Sequence, residues 1–232
     1  MSKKIAISQS NYIPWKGYFD TIALVDEFVI YDDMQYTKRD WRNRNKIKTA
    51  NGLKWLTVPV EVKGKYFQKI KDTKISDKKW GEKHLNMLKQ NYSKSKCYNE
   101  VFDFVENLYL TATHDTISEV NFHFISELCN FLSICTKISF SSSYGITKED
   151  KTARLVDICV QANAGEYYTG VAAKNYINEG FFNEENIKVN YTDYNGYKEY
   201  DQLYGDFEHY VTILDLIFNK GDKAASFLKY QS

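Results

Sequence analysis

No apolar run reaches the roughly 18–20 residues that a membrane-spanning helix needs, so no transmembrane segment is expected. The N-terminus, MSKKIAISQSNYIPW, carries two lysines and then only a brief apolar stretch. A secretory signal needs an apolar run of roughly 7–15 residues, so export is not expected and the chain reads as cytoplasmic. Cysteine is scarce. Cys97, Cys129, Cys135 and Cys159 stand on apolar stretches without CxxC spacing, which reads as buried free thiols rather than a disulfide framework. HExxH and Cys/His clusters are missing, which removes the common zinc sites. GxSxG, GxGxxG and Walker A loops are missing as well. Charge of one sign is not in excess either: a formal net charge of +1 gives the chain no general pull on nucleic acid. With no repeat, low-complexity tract or linker, residues 1–232 read as one compact domain.

What the chain has in abundance is aromatic side chains: 19 Tyr, 14 Phe and 4 Trp, or 16% of its residues. Such rings fill cores, and they also stack on sugars and bases. Lys4 to Ser8 (KIAIS) reads as a short buried strand and NYIPWKG as a loop. Tyr18 to Val25 has helical apolar spacing, and Glu27 to Tyr31 (EFVIY) reads as a second strand. That order predicts a βαβ unit and hence a parallel sheet. Asp32 to Lys48 is a dense polar segment. Asn51-Gly52 then marks a hairpin-type turn, and Leu53 to Val62 alternates as an edge strand or one broken at Pro59. Residues 76–92 read as a helix capped by Ser76 or Asp77, and Asn99–Leu110 and Thr116–Phe131 as two more, so that 76–132 forms a helical stretch or lobe. Strands at Lys137–Ser141, Glu166–Thr169 and Ile187–Tyr191, a helix at Lys151–Asn163 and a C-terminal helix capped by Gly221 restart the α/β rhythm.

Ligands of parallel α/β sheets bind beyond the carboxyl ends of the strands. The loop Ser8–Lys16 follows the first strand and Asp32–Arg44 the second, so both are expected at the same end of the sheet. The first supplies Gln9, Asn11, Tyr12 and Trp15; the second supplies Arg39, Trp41, Arg42, Asn43 and Arg44. The three arginines offer planar donor forks that match phosphate oxygens, with Lys38 and Lys46 adding charge. Tyr12, Trp15 and Trp41 offer rings to a base or sugar. Asp32 and Asp33 suit acceptance of sugar hydroxyls, a metal, or a proton from an amine. Alternation along a strand turns them to opposite faces, and Asp33 is the one expected to meet the ligand. The basic segment also reads as a solvated face or an RNA patch. The interleaved Trp41 and Asn43 weigh against the first, and the near-neutral chain against the second. His84 is the second catalytic candidate, a general base beside Trp80, Lys83 and Tyr92 on a polar helix, with a structural histidine as the alternative. His114, His123 and His209 are assigned no chemistry. Ser141–Ser143, Lys148, Lys151 and Thr152 precede a helix start that suits an anion or is an ordinary N-cap.

SQSNYIPWKGYFD, FVIYDDMQYTKRDWRNRNKIK and NGLKWLTVPV, then HLNMLKQNYSKS, ARLVDICVQANAGEYYTG and LDLIFNKG, resemble in order the blocks of the WbqC-like family. Ser8 and Ser10 stand where many relatives carry a histidine and a proline. The opening strand–loop–helix–strand is also similar to nucleotidyltransferase-type α/β domains, so a Rossmann-like or nucleotidyltransferase-like fold with a helical middle is implied. Members of the family lie among genes for O-antigen, capsule and other glycan synthesis. The resemblance therefore implies a transferase that tailors an activated amino sugar, by N-acyl or aminoacyl transfer to a nucleotide-linked amino sugar. It leaves open an ATP-dependent amide ligase working through an acyl-adenylate, and a non-catalytic sugar-nucleotide-binding or scaffold protein. Acyl-CoA or ATP with magnesium is the co-substrate it allows, and no resident cofactor or metal is identified. The expected partner is the nucleotide-linked amino sugar, without nucleic acid or membrane insertion; a homodimer is allowed.

Overall fold

The protein is described by a computed structural model over residues 2–230. Its first strands, β1 (Lys4–Ser8) and β2 (Glu27–Ile30), are short apolar runs able to bury both faces. Alternation sends Ile5, Ile7 and Val29 into one apolar layer and Ala6, Phe28 and Ile30 into the other. With β5 (Lys137–Phe140), β6 (Glu166–Gly170) and β7 (Lys188–Thr192) they form a five-stranded sheet in the order β5-β2-β1-β6-β7. Every pairing in it is parallel. The chain winds outward from β1 through β2 to β5, then returns to continue through β6 and β7. That reversal between β1 and β6 is the topological switch point of a doubly wound, Rossmann-like α/β domain, as the strand–helix rhythm predicts.

One face of the sheet carries α1 (Lys16–Ala23), the central helices α2 (Trp80–Tyr92), α3 (Tyr98–Leu110) and α4 (Ile117–Phe131), and α7 (Ile213–Lys220), all contributing to one continuous core. The other face is covered by α5 (Lys151–Gln161) and α6 (Glu179–Glu184), through Leu155, Val156, Ile158, Cys159 and Phe182. Helix ends follow local chemistry. Thr116 and Glu119 make a reciprocal capping box at α4, and Gly221, with φ 54°, ends α7 as expected.

Four expectations need correction. The polar stretch before Asn51 contains a strand, β3 (Arg44–Thr49), paired antiparallel with β4 (Gly52–Thr57). Its period was hidden because one inward position, Asn45, is polar and buried by hydrogen bonding rather than by apolarity. β4 stops at Thr57 instead of running to Val62; of the two alternatives the break at Pro59 is the one found, and the Pro59 carbonyl accepts from the Ser76 amide. α2 begins at Trp80 rather than near Ser76, because Asp77 closes the preceding turn by accepting from the Lys79 amide. Finally, only Cys129 and Cys159 are buried thiols; Cys97 is half-buried and Cys135 exposed. Among the described residues no helix is long and apolar enough to cross a membrane.

Candidate functional site

β1 and β2 end side by side, so their following loops leave from one edge of the sheet, as the topology requires. A buried polar strut joins those loops. The Ser10 amide donates to Asp32 Oδ1 at 2.9 Å and the Ser10 hydroxyl to Asp32 Oδ2 at 2.7 Å. Ser118 of α4 donates to the same Oδ2 at 2.5 Å. Asn121 then reaches back with Nδ2 to Ser10 Oγ and to the Arg42 carbonyl. Burial pushes the Asp32 carboxyl up, against the pull of these donors. Asp32 is a structural tie, then, and alternation turns Asp33 the other way.

Asp33 borders a cleft of about 190 Å³ beyond the ends of β2 and β5, with Lys71, Ser118, Glu119 and Ser141. Lys71 Nζ lies 2.6 Å from Asp33 Oδ1, Lys69 Nζ 3.9 Å from the same oxygen, and Ser141 Oγ donates to Oδ2 at 2.6 Å. Partial burial works to raise this carboxyl, but the Lys71 ammonium and Ser141 hydroxyl outweigh it and hold Asp33 below the usual carboxylate range. Lys71 and Ser118 were not among the sequence candidates; both come from elements that only folding brings to the end of β2.

A second, larger cleft of about 340 Å³ is lined by Asn11, Pro14, Trp15, Trp41, Lys46 and Tyr210, with Asn45 at its base. Here two of the predicted rings do converge. Trp15 is packed 5.1 Å from Tyr210, 5.3 Å from Tyr194 and 5.7 Å from Tyr197, and Trp41 lies 5.3 Å from Trp55. Lys46 Nζ stands 5.2 Å from the Trp55 ring centre, and the Arg44 guanidinium covers that ring at 4.0 Å. The loop carrying Trp15 is tightly held. Asn45 Nδ2 donates to the carbonyls of Tyr12 and Ile13, and Ile13 sits at φ 34°, a conformation costly for a β-branched residue. From the far end of the chain, the Thr212 amide donates to Lys46 O and the Ile213 amide to Pro14 O.

Gly17 lets this packing exist. A Cβ there would lie 2.3 Å from the Trp15 indole, which three tyrosines hold in place. Gly17→Ala is expected to lose roughly 1–3 kcal/mol of stability despite the better helix propensity of alanine. Urea denaturation reads this directly, and an unchanged midpoint would show that Trp15 is free to move.

The remaining candidates lie elsewhere. Tyr12 is wholly buried, and its ring contacts Trp80, His84 and Phe124 rather than solvent. His84 is also buried. Its Nε2 lies 3.1 Å from the Thr57 carbonyl, which can only accept, so Nε2 carries the proton and Nδ1 accepts from Tyr12 OH at 2.9 Å. Burial lowers the imidazole pKa to about 4. A neutral, enclosed ring with both nitrogens engaged does not fit the general base expected from its helix. Arg42 donates through Nη1 to Asn11 Oδ1 at 2.5 Å and to Ser10 O, which fixes the loop more than it offers a fork. Arg44 donates to the Arg39 carbonyl, while the Arg39 side chain is exposed. Asn43 is buried and bonded to Val58 O, and Gln9, half-buried, accepts from Tyr18 OH through its carbonyl. No cluster of three or more His, Cys, Asp or Glu suited to a metal occurs among the described residues.

The family model described as the WbqC-like protein family matches residues 9–227, a span that includes both clefts and the strut between their loops. The uncharacterized protein Rv1507c of Mycobacterium tuberculosis is 50% identical over 228 residues, covering 98% of this chain and 98% of that protein. No solved structure gives a match. The block order seen in the sequence and the family match agree from the opening loop to the C-terminal helix: this chain belongs to the WbqC-like protein family.

Proposed function

We propose that this protein is a transferase that acylates or aminoacylates an activated amino sugar during bacterial surface polysaccharide synthesis, in the cytoplasm. The observation that carries the reading is the aromatic cleft: Trp15, Trp41 and Tyr210 with Asn11, Asn45 and Lys46. Flat rings edged by amide and ammonium donors suit a base or pyranose ring joined to phosphate. Lys46, which lines the cleft, is the cation offered to phosphate oxygens, with the exposed Arg39 of the same segment as a second, and Arg42 holds the loop.

In the reaction, the sugar nitrogen attacks the acyl carbonyl carbon, a C–N bond forms, and the bond from that carbon to the donor's leaving group breaks. Asp33 borders the other cleft, so this reading requires the sugar amine to reach past the Ser10–Asp32 strut to its ionised carboxylate, which then takes up the proton that nitrogen loses. Lys71 compensates the carboxylate before the amine arrives. The acyl group comes from a thioester such as acyl-CoA, or from an acyl-adenylate made with ATP and magnesium. The engagement of Arg42 and Asp33 within the fold favours, as a second reading, a protein that binds a sugar nucleotide without turning it over.

A thermal-shift screen separates these readings. UDP- or dTDP-linked amino sugar at about 100 times its Kd stabilises the protein by roughly 2.7 kcal/mol. A shift with ATP and magnesium alone moves the assignment to amide ligation; no shift with any sugar nucleotide removes the soluble-substrate reading. Trp41→Ala is expected to weaken sugar-nucleotide binding roughly 5- to 150-fold, the loss of about 1–3 kcal/mol of stacking. Isothermal titration checks this, and an unchanged Kd takes the cleft out of the binding site.

A further inference from the structure

One exposed feature belongs to neither cleft. Tyr66 and Phe67 are 70% and 83% exposed, and their rings stand 5.0 Å apart at the tip of the loop between β4 and α2. Among the other exposed large apolar side chains of the described residues, Trp41 and Tyr210 line the aromatic cleft, whereas Tyr66 and Phe67 are adjacent and line neither cleft. The loop is not loose. The Gln35 side chain donates to Tyr66 O at 2.8 Å, Gln68 Nε2 donates to Glu61 O at 2.7 Å, and the Tyr36 amide donates to Gln68 O at 2.9 Å. Gly64, at φ 73°, makes the turn that lifts the pair away from the body. A folded protein gains nothing internally from holding two large rings in water, so the rigidity calls for an external surface.

The charge around the rings says what surface that is. The stretch EVKGKYFQKIKDTK, residues 61–74, has lysines at 63, 65, 69, 71 and 74 against acidic residues only at 61 and 72. Lys63, Lys65 and Lys69 are exposed on the same loop as the rings, Lys65 paired with Glu61 and Lys69 Nζ 3.9 Å from Asp33 Oδ1, while Lys63 makes no ion pair among the described residues. Aromatic side chains that enter the headgroup layer, ringed by ammonium groups that meet anionic lipid, are the two signals that hold a soluble protein at a membrane surface. A protein partner would instead be expected to meet a broader apolar patch than one pair of rings.

We infer that the Tyr66–Phe67 loop is a peripheral docking element for an anionic phospholipid bilayer. Lys71, at the base of the loop, is also a wall of the Asp33 cleft, so docking sets that cleft beside the headgroups. The inference does not depend on the chemistry proposed for the clefts.

The test is flotation of the full-length protein with vesicles of phosphatidylcholine containing about 30% phosphatidylglycerol, against phosphatidylcholine alone. The wild type should float with the anionic vesicles and be released by high salt, because exposed charge is screened. The Tyr66→Ser/Phe67→Ser double variant and the Lys63→Glu/Lys65→Glu variant should each lower the bound fraction roughly tenfold, with unchanged circular-dichroism melting. Failure of the wild type to bind, or equal binding by the Tyr66→Ser/Phe67→Ser variant, overturns the proposal. So does a wild type that ignores vesicles but self-associates in sedimentation, with the double variant monomeric: the rings would then be a contact between copies.

Discussion

Asp33→Asn is expected to lower amide formation on an amino-sugar nucleotide by roughly 10²–10⁴-fold, the usual worth of a positioned proton acceptor, with KM for the sugar nucleotide little changed. Asparagine keeps the shape and can still accept from Ser141, so the fold should stand. It cannot take a proton from the nitrogen. The carboxylate that is lost is also the partner of Lys71, which frees an ammonium at the cleft wall. Lys71→Met therefore provides the converse. Without its strongest charge partner, Asp33 should titrate higher, and the acid limb of the pH–rate profile should move up with it. If Asp33→Asn leaves the rate within twofold of wild type, the proton goes elsewhere; if it leaves tight binding in a protein that never turned over, the binding-only reading gains.

Acidification from pH 6.5 toward 4 should cost this protein stability through His84. The imidazole has a folded pKa near 4 against an ordinary 6.5, because burial disfavours its charged form. Below about pH 6.5 the unfolded chain takes up a proton that the folded chain refuses, so unfolded protein gains. The stability associated with the neutral ring is whole above pH 6.5 and is lost steadily as pH falls toward 4. Roughly 3 kcal/mol is at stake, at about 1.4 kcal/mol per pKa unit, a sizeable part of a typical domain stability. Asp20, Asp32 and Asp215, whose carboxyls burial raises, act in the opposite sense in the acid range. Comparison with His84→Gln isolates the histidine term. The variant should be less stable at pH 7, where it disturbs the Tyr109–Tyr12–His84–Thr57 chain of hydrogen bonds, yet flatter between pH 6.5 and 4. Urea midpoints across that range decide; parallel curves would place the acid sensitivity on another group.

The parallel sheet was legible because KIAIS and EFVIY are apolar on both faces, which is what a doubly covered strand demands. The meeting of Trp15 with Trp41 was legible too, because consecutive parallel strands send their following loops to one edge. Tyr210 was not, since nothing local tells a residue near the C-terminus that it will pack against Trp15. Polar residues misled in both directions. Asn45, inward and buried, concealed β3, while His84 and Tyr12 looked like available chemistry when they satisfy one another in the core. The arginine run promised three donor forks, yet Arg42 is turned inward to Asn11 and Arg44 is laid over Trp55, choices set by distant partners.

The bonds from Thr212 and Ile213 to Lys46 and Pro14 have a consequence for biogenesis. Residues 9–46 leave the ribosome well before Thr212 and Ile213, whose amides fasten them. At synthesis rates of about 5–20 residues per second, the strained Ile13 turn must wait roughly ten seconds or more for its clasp. A nascent chain that has not yet delivered Thr212 and Ile213 thus has the cleft's tryptophans without the Tyr210 wall.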